Sequence, residues 1–152
     1  MRVIGKKQSV WCRDSRIDES DGVSILIDSR DTHNIHRASR FCHRFVFLPQ
    51  GSGTKSLSPV ATMVNIARSK ENPKAINDSV LKIRSEKRID GYILRGAIPG
   101  SAITGWDPVE HVRLGFNYVL SDRELGCQIY SGDLEMPVIS DPSLWGSLEL
   151  AD

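Results

Sequence analysis

The chain has 152 residues, 39% of them hydrophobic and 26% charged, with a formal net charge of +1. That is the composition of one folded domain with a sizeable core. The near-balance of charge excludes the strong basic bias of a nucleic-acid binder. No apolar run approaches the ~20 residues a membrane-spanning helix needs.

The opening "MRVIGKKQSVW" has basic residues but no apolar stretch and no small-residue cleavage site, so it does not read as a signal peptide. "RVIG" directly after Met1 reads as the end of a strand. The expectation is a sandwich lacking one or more N-terminal strands. An extracellular or periplasmic location is expected only if that start is truncated. Cys12, Cys42 and Cys127 are odd in number and widely spaced, with no C-x-x-C pair. They read as buried or half-buried thiols, and one disulfide plus a free thiol stays open for an exported protein.

Strand signals are short and frequent. "GVSILID" (Gly22–Asp28) is β-branched and ends in an acid, and "RFVFLP" (Arg44–Pro49) ends at proline. On that strand Phe45 and Phe47 share one face, expected in the core. Arg44 and Val46 share the other, which leaves Arg44 exposed or on a concave side. "PQGSGTKS" (Pro49–Ser56) reads as a loop. "SPVATMVNIARSKEN" (Ser58–Asn72) predicts about three helical turns, capped by Ser58 with Pro59 at the first position and Val60, Met63, Val64 and Ala67 near helical spacing. "VLKIRSE" (Val80–Glu86) alternates apolar and polar, and "DGYILRGAIP" (Asp90–Pro99) follows after an Asp-Gly hairpin signal. "VRLGFNYVLSD" (Val112–Asp122) and "SLELAD" (Ser147–Asp152) complete the set. Together they predict an all-β antiparallel sandwich, jelly-roll or Ig-like, with one or two short helices, filling residues 1–152 as one domain.

Four segments then fall in a telling order. "DGVSILIDSRD", "DGYILRGAIPGSAI", "RLGFNYVLSDRELG" and "DPSLWGSLEL" resemble the strand motifs of family 9 carbohydrate-binding modules, part of a wider DOMON-like group of β-sandwiches. The resemblance covers roughly Asp18 to Leu150. It implies a non-catalytic sugar-binding domain that travels with glycoside hydrolases. It also implies a site in which two tryptophans sandwich a terminal sugar. Asp18 and Ile139 stand at those tryptophan positions, Ser24 at a ligand-binding carboxylate position, and Arg95 where a glutamate is usual. The sugar site is therefore expected to be modified. The wider group includes haem-binding domains with methionine and histidine ligands. Met63 or Met136 with His43 or His111 would be the candidates, but their spacing does not select a pair.

The densest chemistry lies in "DSRDTHNIHRASRFCHRFVFLP" (Asp28–Pro49). Arg30, Arg37, Arg40 and Arg44, joined by Arg95, would form a basic surface suited to a carboxylate or sulfate, hence to an acidic sugar. Asp28 and Asp31 are local partners that would neutralise it. His33, His36 and His43 are legitimate metal ligands. Their bland reading puts His33 and His36 on a solvated loop and His43 on the outer face of a strand. Trp11, with Arg13 beside it, is placed to stack on a sugar. Trp145 is expected in the core and Trp106 half exposed. Asp18, Glu19 and Asp21 read as a solvated acidic turn. No G-x-S-x-G, H-E-x-x-H or phosphate-loop spacing is present, so no catalytic set stands out.

The candidate ligand-binding residues are Trp11, Arg13, Arg30, His43, Arg44 and Arg95. No cofactor, nucleic acid or membrane partner is expected. The readings left open are a glycan-binding module with a modified site, a structural or interaction sandwich without a small ligand, and a metal-binding sandwich through His33, His36 and His43.

Overall fold

A computed structural model describes residues 1–151 and contains nine strands in two antiparallel sheets. β1 (Arg2–Val3), β6 (Gly91–Ala97) and β5 (Lys82–Arg88) form the smaller sheet, in the order β1-β6-β5. The larger sheet runs β4-β3-β2-β7-β8, from β4 (Ser58–Met63), β3 (Cys42–Ser52), β2 (Gly22–Asp28), β7 (Arg113–Asp122) and β8 (Gly126–Ile129). β9 (Gly146–Glu149) pairs with Arg113–Phe116 of β7, while β8 pairs with Val119–Asp122, so the two short strands follow one another along one edge of β7. The helical pieces are 3₁₀ turns of three to six residues. Among the described residues no helix is long and apolar enough to cross a membrane.

The alternation of side chains decides the layers. Ile25 of β2 lies opposite Phe45 of β3 and Tyr118 of β7, so these side chains share one face. That face packs on the smaller sheet. Phe45 and Phe47 meet Tyr92, Leu94, Val3 and Leu81 in the main core, as the strand pattern expects. Toward β1 the sheets part, leaving a cavity of about 470 Å³ walled by Val23, Ile25, Leu94, Tyr118 and Leu120.

The helix expected over Ser58–Asn72 is overturned. Residues 58–63 form β4, paired with β3 through Phe45↔Met63, Val46↔Thr62, Phe47↔Ala61 and Leu48↔Val60. Ala61 and Met63 pack on the main core, and Val60 packs on the opposite side against Val46, Leu48 and Cys12. A strand covered on both faces is apolar on both and loses its alternation. The spacing of Val60, Met63 and Val64 then mimics a helix. β3 also runs on through Pro49, read above as its end. The ladder to β4 slips between Leu48 and Ser52, so the missing N–H falls in an irregular stretch. In the β5–β6 hairpin Arg88 pairs with Gly91, leaving Ile89 and Asp90 as the turn. Gly91 serves contact more than reversal, since a Cβ there would lie 2.0 Å from the Val3 carbonyl oxygen.

One end of the sandwich is closed by charge. Lys6, 6% exposed, donates to Asp122 Oδ1 at 2.7 Å and to Asp21 Oδ2 at 3.3 Å. Asp21 is fully buried, which corrects its reading as part of a solvated acidic turn. Burial pulls the Lys6 pKa down, but the Asp122 hydrogen bond and the Asp21 charge outweigh it and hold it above 10.5. Burial pushes Asp122 up, but Lys6 and the N–H groups of Leu125 and Glu124 hold it below 3.8. A cation with a raised pKa stabilises below its ordinary value and loses that effect as pH rises through the folded one. An acid with a lowered pKa stabilises above its ordinary value and loses it as pH falls. Lys6→Met is therefore expected to cost about 3–5 kcal/mol at neutral pH, because it strands two buried carboxylates. Urea unfolding at neutral pH measures it, and a loss under about 1 kcal/mol would contradict this role.

Candidate functional site

The outer face of the larger sheet is covered by loops at two places. Cys12, Val46 and Leu48 close one patch with Ile17 and Val60. Leu26, Ala38, Cys42, Ile66, Val138 and Trp145 close the other. Between them lies a cavity of about 190 Å³, walled by Asp18, Ser24, Arg44, Val119, Ser121 and Ile139.

Strand register builds its polar side. Leu26 lies opposite Arg44 and Ser24 opposite Val46, so Ser24 and Arg44 are diagonal neighbours on one face. Arg44 Nε donates to Ser24 Oγ at 3.1 Å, and Nη2 donates to Asp18 Oδ1 at 2.6 Å. Asp18 arrives on the 3₁₀ segment Asp14–Glu19, which crosses this end of the sheet. Arg44 is only 8% exposed, although an uncovered outer face would have left it in solvent. The Asp18 side chain is 75% exposed, so the buried cation is held by a partner that water reaches freely.

The other arginines do not join it. Arg30 and Arg40 pack on the ring of Phe41, at 4.6 and 5.0 Å from its centroid. Arg37 Nε donates to the Arg68 carbonyl. Arg95 sits on β6 in the smaller sheet, 3.5 Å from Glu86. The expected basic surface of Arg30, Arg37, Arg40, Arg44 and Arg95 is thus dispersed over both sheets. Asp28 accepts from the Arg30 and Thr32 backbone N–H groups, closing a turn, and does not pair with an arginine side chain. Asp31 faces Arg113.

The histidines are equally separate. His33 Nε2 meets Asp31 and Ser147, whereas His36 Nδ1 meets Asp141 and Ser143. His43, expected on an outer face, lies fully buried on the inner one, stacked on Phe45 at 5.8 Å. Among the described residues no group of three His, Cys, Asp or Glu side chains is placed to hold a metal ion. The Thr104 N–H donates to His43 Nε2 at 2.8 Å, so the ring proton sits on Nδ1, facing the Ile27 carbonyl at 3.3 Å. Both nitrogens are thereby engaged, which leaves neither for a metal or haem.

Trp11 is half-buried and ringed by cations. Arg123, Arg16 and Arg13 lie 4.4, 5.5 and 5.9 Å from its ring centroid. The backbone N–H groups of Trp11 and Arg123 both donate to Asp21, so the buried carboxylate assembles the stack. Arg123 and Arg16 escaped the sequence reading, because nothing in their spacing relates them to Trp11. Trp145 is core, with Nε1 donating to the Val138 carbonyl at 2.7 Å. Trp106 is half-buried, its ring against Gly100. Cys12 and Cys42 are buried free thiols, and Cys127 is exposed and free.

No protein-family model and no curated protein matches the sequence. Among solved structures, the chain resembles a family 9 carbohydrate-binding module from Caldicellulosiruptor kristjanssonii, determined with cellotriose. The TM-score is 0.60 at 14% identity, over 93% of this chain. The fold is that of a family 9 carbohydrate-binding module. The chain spans 63% of the length of that structure. Asp18 and Ser24, six residues apart, and the distant Ile139, all singled out by resemblance to the family's motifs, line the same cavity. Arg95 does not reach it.

Burial pushes His43 below 6.5, against the opposing Ile27 and Phe41 carbonyls and the Asp28 charge. A base with a lowered folded pKa stabilises above its ordinary value and loses that effect as pH falls. Stability is therefore expected to drop as pH falls below 6.5, and nitrogen NMR at neutral pH to show the His43 proton on Nδ1. A neutral ring protonated on Nε2 instead would refute the assignment.

Proposed function

We propose that this chain is a non-catalytic glycan-binding module whose modified site is the Arg44 cavity, and that it prefers acidic sugars. The observation that carries this reading is a nearly buried guanidinium in a cavity between two covered patches, held by a water-exposed carboxylate. The Asp18 carboxylate stands mostly in solvent, so an entering sugar carboxylate can take its place beside the guanidinium without leaving that cation unpaired. Arginine's planar fork suits two oxygens of one carboxylate, and Ser24 offers a hydroxyl beside it. The Trp11 stack with Arg13 lies just past the ends of β2 and β7, where Gly22 and Ser121 line the cavity. It supplies a second contact for a longer chain. Arg30, His43 and Arg95 are engaged elsewhere and take no part. The solved neighbour was determined with cellotriose, which supports a sugar as the ligand class. Association with glycoside hydrolases follows only from the resemblance to the family.

A second reading has its own observation. The apolar cavity of about 470 Å³ where the sheets part, next to the two-residue strand β1, is the kind of open edge an interaction domain presents.

A glycan array on the purified chain, at low and moderate salt, separates the two. Salt-sensitive binding of acidic glycans is expected. Arg44→Met should weaken it about tenfold or more, the cost of a charge-assisted hydrogen bond. Asp18→Asn should strengthen it, because the competing carboxylate is gone. Binding of neutral glycans alone, unaffected by Arg44→Met but lost in Trp11→Ala, would move the site to Trp11. A folded chain that binds no glycan returns the molecule to the interaction reading.

A further inference from the structure

We propose that the Arg44 cavity continues onto an apolar shelf, so that the ligand is a sugar bearing an apolar substituent. This rests on the glycan reading above and names the ligand more closely. Val119 and Ile139 line the Arg44 cavity and also a second concavity of about 270 Å³. The second one is walled by Cys127, Ile129, Leu134 and Met136. Val119 of β7 and Ile129 of β8 are direct cross-strand partners, so the floor passes from one concavity to the other without a break. Arg44, Ser24 and Asp18 make one end polar, and Ile129, Leu134 and Met136 make the other apolar. A mostly apolar wall with a few polar groups at one end is the usual make-up of a small-molecule site.

The shelf is exposed yet fixed. Leu134 is 55% and Met136 50% exposed. The loop that carries them is anchored at both ends by buried side chains. Asn117, fully buried on β7, donates Nδ2 to the Ser131 carbonyl at 2.8 Å and accepts on Oδ1 from the Tyr130 and Ser131 N–H groups. At the far end Trp145 Nε1 donates to the Val138 carbonyl. Between them the Met136 N–H donates to the Asp133 carbonyl, and the Pro137 carbonyl accepts from the Ser140 and Asp141 N–H groups. A ligand meets this surface already formed and loses little to ordering it. Neither Leu134 nor Met136 belongs to any of the three buried clusters. A pyranose with its carboxylate or hydroxyls at Arg44 and Ser24 would send a substituent across Val119 and Ile139 onto the shelf.

The test is calorimetric titration of the full chain with D-glucuronic acid, D-glucose and the 4-nitrophenyl glycoside of each. Each aryl glycoside is expected to bind about tenfold more tightly than its parent sugar, the effect of burying part of one ring. Met136→Glu and Leu134→Glu, both surface changes, should collapse that ratio toward one. The acidic and neutral pairs show which sugar the polar end takes. Equal affinity for parent and aryl sugars, with Arg44→Met still abolishing both, would overturn the shelf and leave the glycan reading standing. Free 4-nitrophenol binding as tightly as its glycosides would also overturn it. So would a dimer in sedimentation that Met136→Glu dissolves, since the shelf would then belong to a second copy. If no probe binds, the glycan reading fails and the shelf proposal falls with it.

Discussion

Two carboxylates must be buried side by side at one end of this sandwich, and everything near them is arranged around the lysine that makes this tolerable. Register forces the problem. Gly22 pairs with Ser121, so Asp21, just before β2, and Asp122, the last residue of β7, are held side by side. Both are nearly or wholly buried, and two such charges cannot stay ionised without a cation. Lys6 supplies it. It does so from the segment after β1, which belongs to the other sheet and is tied there by the Lys6 N–H to the Asp90 carbonyl. The demand for a counter-charge therefore docks one sheet on the other. Tyr92 lies close enough for burial, and then Asp122 and Asp21, to push its phenol pKa up.

The same carboxylates shape the segments beside the Arg44 cavity. Asp21 holds Trp11 and Arg123 by their N–H groups, and Asp122 takes the Glu124 and Leu125 N–H groups, shaping the turn into β8. Glu124 in turn accepts from Lys7 and Gln8. Ser20, Gly22 and Ser121, next to these anchors in the chain, line the cavity. One wall of the Arg44 cavity thus adjoins a charge cluster that does not itself line it.

Much of the fold was legible because its strands are half-buried. β5 and β7 alternate or end at clear turns, and Phe45 with Phe47 on one face of β3 followed from period two alone. β4 was not legible, because burial on both faces erased the pattern that marks a strand. The cavity was partly legible. That Arg44 points away from the core follows from Phe45 pointing in. That this outer side is covered follows only from where Asp14–Glu19 and the loop before β9 cross the sheet, and spacing along the chain carries no trace of that. The dense run from Asp28 to Pro49 misled for the same reason. Its arginines and histidines are neighbours in sequence, but a loop feeding a strand scatters them. His43 goes inward, Arg30 and Arg40 go to Phe41, and only Arg44 reaches the cavity.

Asp18, Ser24 and Ile139 line one cavity, and register explains how Ser24 comes to be there. Ser24 is fixed opposite Val46 and Val119 by two ladders, and a one-residue slip would turn every core side chain of β2 to the wrong face. Core burial on the inner face of β2 therefore holds Ser24 in place on the outer one. The guanidinium of Arg44, nearly buried and paired with Ser24 and with a carboxylate that lies in water, is the cationic group this cavity presents.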